Sequence, residues 1–281
     1  MLTRFLSKGN IRSRILKALL GVASVSLISL AIISLDGMRR LGEFSVKSST
    51  GLGQEALKIS KSALETLAQD GLQRIATDRA NLCNAEFKEV EGAVNVLADI
   101  SEKLWANPTM YPKNRSYSNT NEPSNPKLSS VYQVPDGVSF KKIKSDLELT
   151  SAMDTIFLPF IANNSNINDF NLATPDGLFR RFPWGTVASG YDVRKRQWFT
   201  RAIETGKGGW SEPYIGSVAK NLRINYSKPI YRNKKIVGVV AINVPLHTIN
   251  ERIISTRLNN QGSAVLVDSK LKVIAREGMA T

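Results

Sequence analysis

The chain has 281 residues, 42% of them hydrophobic and 22% charged, the balance of an ordinary folded protein long enough for one large or two ordinary domains. One cysteine, Cys83, and one histidine, His247, exclude an intrachain disulfide, a Cys-cluster zinc site, His-rich metal sites and most Ser-His or Cys-His triads, so neither a cofactor nor a metal is expected. The net charge of +14 would suit nucleic acid or an anionic membrane surface, but no basic low-complexity tail or nucleic-acid motif accompanies it, and nucleic acid is not expected as a partner.

The first element is read from 18–35, "ALLGVASVSLISLAIISL", which has no charge and is extended backward by Leu16 and Ile15. At about 1.5 Å per residue such a helix nearly spans a hydrocarbon core of about 30 Å. Arg4, Lys8, Arg12, Arg14 and Lys17 precede it without an acid, whereas Asp36, Arg39, Arg40 and Glu43 follow. That asymmetry predicts a transmembrane helix over 15–35, residues 1–14 cytoplasmic and everything from 41 onward outside. A cleaved signal peptide is the competing reading; the long apolar run and the lack of an A-x-A-like site in "SLDGMRRLG" weigh against it.

All eleven prolines lie at or beyond Pro108. Over 41–106, Leu57, Leu64 and Leu67, then Val90, Val94, Leu97 and Leu104, recur with three- and four-residue steps, and Glu86, Lys88, Glu89 and Glu91 take the opposite face. The pattern predicts a long stalk helix through which the chain dimerises, or else two helices broken near Gly71. Cys83 reads as a small packing residue on it. Residues 107–135 hold five prolines among many Asn and Ser and read as a loop. A second helix is expected over roughly 140–163.

From 166 the texture turns to short β-like runs. Two strands flank Pro175-Asp176-Gly177, and "NLRINYSKPIY" pairs with the nearly continuous apolar run "KIVGVVAINVPL" around Asn233-Lys234-Lys235. Between the pairs, "YDVRKRQWFTRA" (191–202) places four basic residues, two aromatics beyond Tyr191 and one acid at the start of a helix over about 194–205 that Gly206 stops. A short helix follows at "HTINERIISTRL", with His247 near its start. "SAVLVDSKLKVIAREG" then repeats the strand–Asp turn–strand outline of "FNLATPDGLFRRF", which predicts a hairpin over 260–281 with Asp268 at its turn, opening a second lobe.

The ordered motifs "YDVRKRQWF", "GKGGWSEPY" and "YSKPIYRNKKIVGVVAINVPL" resemble those of the double Cache sensor domain of bacterial transmembrane receptors: chemoreceptors, sensor kinases and membrane-tethered phosphatases. The resemblance implies an α+β fold of two PAS-like antiparallel-sheet lobes on one long helix, with a membrane-distal lobe at 107–258 and a truncated membrane-proximal lobe from 259. It implies the N-terminal fragment of a signal transducer in a bacterial inner membrane, non-enzymatic in this part, whose distal lobe binds a small molecule. In amino-acid-binding members the second Arg of the motif and the Trp hold the ligand carboxylate, and a Tyr with two Asp residues holds the ammonium. The matching positions here are Arg196, Trp198, Tyr214, Gly216 and Asn243, with Phe199 where Tyr is usual after the tryptophan. A guanidinium fork fits a carboxylate, but Gly216 and Asn243 stand where both acids are usual, so the expected ligand is a small anion of the carboxylate type and not an α-amino acid. Asp192 and Arg194 read as a scaffold pair, Lys195 and Arg201 as a solvated face. The competing function is a ligand-free ectodomain that dimerises or binds a periplasmic protein.

Overall fold

The computed structural model describes residues 11–163, 167, 169–216, 221–249, 265–267, 271 and 273–276. The chain divides into two compact units, Met1–Gln73 and Arg74–Thr281. Helix α1 (Ile11–Ala106) is assigned without interruption, Gly71 included. Across the first unit its apolar side chains face outward, Leu19, Ile28 and Ile33 among them, and beyond the apolar run so do Leu57, Leu64 and Leu67. Among the described residues, one helix is thus long and apolar enough to cross a membrane, by length and composition.

In the second unit the same helix becomes a core element. Val90, Val94, Leu97 and Leu104 are buried, continuing the spacing read from the sequence, and Cys83 is buried with them. Burial, with Glu86 nearby, raises the Cys83 thiol above its usual range, as suits an inert packing group.

After a 3-10 turn (Pro126–Leu128) come β1 (Val131–Gln133), α2 (Phe140–Thr150) and α3 (Met153–Asn163). The single helix expected over 140–163 is therefore two. Ser151 explains the break: its Oγ donates to the Glu148 carbonyl and accepts from Asn114 N–H, while Asn114 Nδ2 takes the Ser151 carbonyl, each within 3.0 Å. A hydroxyl that bonds its own helix backbone, with a distant Asn satisfying the freed groups, replaces the helical ladder.

The strands that follow are β2 (Phe170–Ala173), β3 (Phe179–Phe182), β4 (Gly209–Trp210), β5 (Tyr214–Ile215), β6 (Leu222–Arg232) and β7 (Lys235–Pro245). They form a seven-stranded antiparallel sheet in the order β1-β3-β2-β7-β6-β4, with β5 also on β6. The β2–β3 turn uses Gly177 at φ +98°, and the β6–β7 turn uses Asn233 and Lys234 at φ 51° and 63°, as a two-residue primed turn requires. Helix α4 (Gln197–Thr205) crosses between the strand pairs and ends at Gly206 in the left-handed region, φ 62°. A short helix, α5 (Leu246–Ile249), carries the half-buried His247.

β8 (Val265–Val267) and β9 (Val273–Arg276) pair antiparallel as a separate two-stranded sheet. Asp268, expected at their turn, lies outside the described residues. Leu266 and Ile274 pack against the large core of the second unit.

Strand alternation divides the sheet into two faces. Phe170, Leu172, Phe182, Val240 and Ile242 point to one side and join α1 and α3 in the large core, where Phe157 stacks on Phe170 at 4.9 Å between centroids. Their neighbours Ala173, Phe179, Val239 and Ala241 point the other way, under Tyr191, Val193, Trp198 and Phe199.

Candidate functional site

On that second face the apolar character stops partway along the strands. Continuing each strand by two residues gives Asp169 and Asn171 before Ala173, Arg181 after Phe179, Asn243 after Ala241, and Asn225 and Arg223 on the adjoining β6. Of these six polar side chains, Asp169, Asn171, Asn225 and Asn243 are buried and need partners, since an unpaired buried polar group costs about 1–3 kcal/mol.

The connection covering them is built locally. Asp192 caps a 3-10 turn (Val193–Lys195) by accepting from Arg194 N–H, and Arg194 clasps its carboxylate through Nε and a terminal nitrogen at 2.9 and 2.8 Å. That hydrogen bonding holds the Asp192 carboxyl below its usual range. Arg196 then occupies the position before α4 in extended backbone, and Trp198, Phe199 and Ala202 are the buried face of the helix. Ser227 Oγ, from β6, fixes the helix start by donating to the Trp198 carbonyl at 2.8 Å.

Between this connection and the sheet lies a cavity of about 100 Å³. Arg196, Trp198, Tyr214, Gly216 and Asn243 all line it, together with Tyr191, Arg181 and Arg223. Phe199 does not; it is buried with its ring edge-on to Trp198 at 5.9 Å. Lys195 is exposed, and Arg201 reaches the Lys207 carbonyl at 3.3 Å, both away from the cavity.

The Arg196 guanidinium carbon sits 4.4 Å over the Tyr191 ring, a cation–π arrangement that fixes the plane of the fork. Among the described residues its Nε is buried without a hydrogen-bond partner. Tyr214 Oη donates to Asn243 Oδ1 at 3.3 Å, Asn225 Nδ2 donates to the same oxygen, and Asn243 Nδ2 donates to Asp169 Oδ1. Arg181 Nε stands 3.6 Å from Asp169 Oδ2 and is likewise buried without a hydrogen-bond partner among the described residues. Arg223 donates from Nε to Asn221 Oδ1 at 3.0 Å.

Asp169 corrects one step of the sequence argument. The positions usually acidic are Gly216 and Asn243, yet a carboxylate stands directly behind Asn243. Burial raises its pKa, with Arg181, Arg223 and the two asparagines pulling it back down. Three guanidiniums against one carboxylate still leave the pocket cationic. Burial also lifts the Tyr214 and Tyr191 phenols, so both remain neutral donors at physiological pH. Gly216 has a steric role: a Cβ there would lie 2.6 Å from Arg223 Nε, so glycine lets that guanidinium lie over the backbone. The sequence reading missed Asp169, Arg181 and Arg223, although two-residue periodicity extended from Asn243 and its paired strands would have placed all three on the pocket face.

Residues 180–251 match the family model described as methyl-accepting chemotaxis protein-like, first PDC sensor domain. That stretch is thus similar to the first sensor domain of chemoreceptor-like proteins, and it contains Arg181, Arg196, Trp198, Tyr214, Gly216, Arg223 and Asn243. The methyl-accepting chemotaxis protein McpA of Pseudomonas putida is 33% identical over 105 residues, covering 37% of this chain and 16% of that protein. PctB of Pseudomonas aeruginosa is 27% identical over 103 residues, again covering 16% of its length. The chain thus spans about a sixth of the length of the curated relatives it matches. Among solved structures, the PctB ligand-binding domain in complex with L-Arg is 26% identical, with a TM-score of 0.38 over 42% of this chain and 51% of that one. The Pseudomonas aeruginosa PctC domain in complex with GABA is 16% identical, with a TM-score of 0.48 over 73% and 72%.

Proposed function

We propose that the Cache lobe, residues 107–258, senses a small carboxylate anion outside the cytoplasm on behalf of a membrane-anchored signal transducer. In this reading 15–35 is the anchor, 1–14 the cytoplasmic N-terminus, 41–106 the stalk through which two copies associate, and 259 onward the beginning of a second lobe. The outward-facing Leu57, Leu64 and Leu67 supply apolar surface for the stalk pairing.

The observation that carries the reading is Arg196. Its guanidinium is stacked, oriented and, among the described residues, buried at Nε without a hydrogen-bond partner, in a cavity with two further arginines. A fork prepared this way favours a planar carboxylate, whose two oxygens accept from it in parallel. An α-ammonium group would meet net positive charge and, in Asn243, an amide whose oxygen already accepts from Tyr214 and Asn225. At about 100 Å³ the cavity is well below the ~300–1,000 Å³ of clefts for drug-sized ligands, which restricts the ligand to a short chain.

Calorimetry with propionate and L-alanine, which differ by the ammonium group, tests this directly. Propionate is expected to bind and L-alanine to bind much more weakly. Arg196→Ala should cost on the order of 2–5 kcal/mol of anion binding, because the ligand charge is left buried and unpaired. Binding of L-alanine with no response to propionate would reverse the reading.

A further inference from the structure

We infer that the preferred ligand carries two carboxylates on a short chain, Arg196 holding one and Arg181 with Arg223 forming a second anion subsite. The inference rests on the carboxylate reading above and adds to it the number of charges. Arg196 comes from the connection covering the sheet, whereas Arg181 is on β3 and Arg223 on β6, so the cationic groups enter the cavity from two walls. One carboxylate on Arg196 would leave Arg181 and Arg223 facing a single acid, Asp169, which ion-pairs with Arg181 at 3.6 Å but makes no hydrogen bond to its buried Nε. A buried charge is tolerated when paired and hydrogen-bonded. Arg181 is part-exposed and Arg223 already donates to Asn221, so neither requires a counter-charge to fold; what the two offer is guanidinium donors on the sheet wall, across the cavity from Arg196. Gly216 supports the assignment, since any side chain there would push the Arg223 guanidinium aside. Guanidinium forks accept phosphate as well as carboxylate, so phosphate is the competing anion that the test must include.

The test is calorimetry on the full chain in detergent with succinate, propionate, L-aspartate and inorganic phosphate. Succinate should bind at least about tenfold tighter than propionate, the return expected from one further buried charge pair. Arg223→Gln should shrink that ratio severalfold, and Arg196→Ala should weaken both acids; a thermal melt identifies any variant that has lost its fold, and the unmodified chain still decides the ratio. Equal affinity for succinate and propionate would overturn the second subsite and leave the carboxylate reading standing. No binding of either would overturn both. Phosphate binding more tightly than succinate would overturn the dicarboxylate assignment, and L-aspartate binding more tightly than succinate would show that the ammonium group is recognised after all.

Discussion

Asp169 and Gly216 act on the pocket without offering it a ligand contact of their own. Burial holds the Asp169 carboxyl above its ordinary pKa, so the folded protein takes up its proton at a higher pH than a free aspartate would. As pH falls from neutral, Asp169 neutralises early, the pocket gains positive charge, and anion affinity rises relative to that of an Asp169→Asn protein, which has no proton to gain. The Asp169→Asn protein should therefore bind succinate more tightly than the unmodified chain at pH 7, and the two should converge as the solution is acidified; parallel titrations on one ligand cancel the ligand's own protonation. At Gly216 an aspartate would be placed against Arg223. Combining Gly216→Asp with Asn243→Asp should neutralise one arginine, add a second acid beside Asp169, and raise the L-alanine to propionate affinity ratio by about tenfold or more. Arg196, Trp198, Tyr214, Gly216 and Asn243 could be named from the sequence because each sits in a motif with fixed local spacing. Asp169, Arg181 and Arg223 carry no such motif. Their role arises from register between strands distant in sequence: the pairing of β2, β3, β6 and β7 brings Arg181 and Arg223 into one cavity and sets Asp169 behind Asn243.

Among the elements, one fully buried side chain ties the loop before β1 to α2 and β3, beside the bonds of Asn114 and Asn119. Arg180, on β3, points to the opposite face from Arg181 and donates to Ser130, to Ser116 at 3.0 Å, to Thr150 at 3.1 Å and to the Leu147 carbonyl at 2.9 Å, with Asp154 at 3.9 Å. Burial pushes its pKa down to about 10, with Asp154 opposing, so it stays charged at neutral pH. Arg180→Ala should destabilise the lobe by about 3–5 kcal/mol, since Asp154 would keep a buried charge without its partner. Urea unfolding checks this; a loss under about 1 kcal/mol would mean the clamp is not needed. The prolines made the loop legible only up to about Ser130, since β1 (Val131–Gln133) lies inside the stretch read as loop, and nothing local predicts that strand, that Arg180 ties the loop down or that Asn114 divides the helices at Ser151. The last two depend on partners 30 or more residues away. The apolar spacing of α1 was legible throughout, whereas its change from outward-facing to buried side chains was not, because Leu64 and Val94 look alike until something packs on one of them.

For the whole molecule, the orientation of the anchor decides which compartment the pocket meets. A periplasm-active reporter fused after residue 60 should be active and a cytoplasm-active one silent, as the Lys/Arg excess before residue 18 requires; the opposite pattern would put the pocket inside the cell. The antiparallel sheet has a further consequence there. On β7, Asn243 turns toward the pocket, while Ile242 and Val244, one peptide unit away on either side, are buried in the core that contains Val94 and Leu97 of α1. A backbone shift at one residue of a strand is shared by its neighbours, and a close-packed interior transmits such strain. Whatever tightens around Asn243 therefore also pulls on the helix side of the sheet. Under the proposed function, β7 is a taut string that runs from the pocket on one face to the core holding α1 on the other.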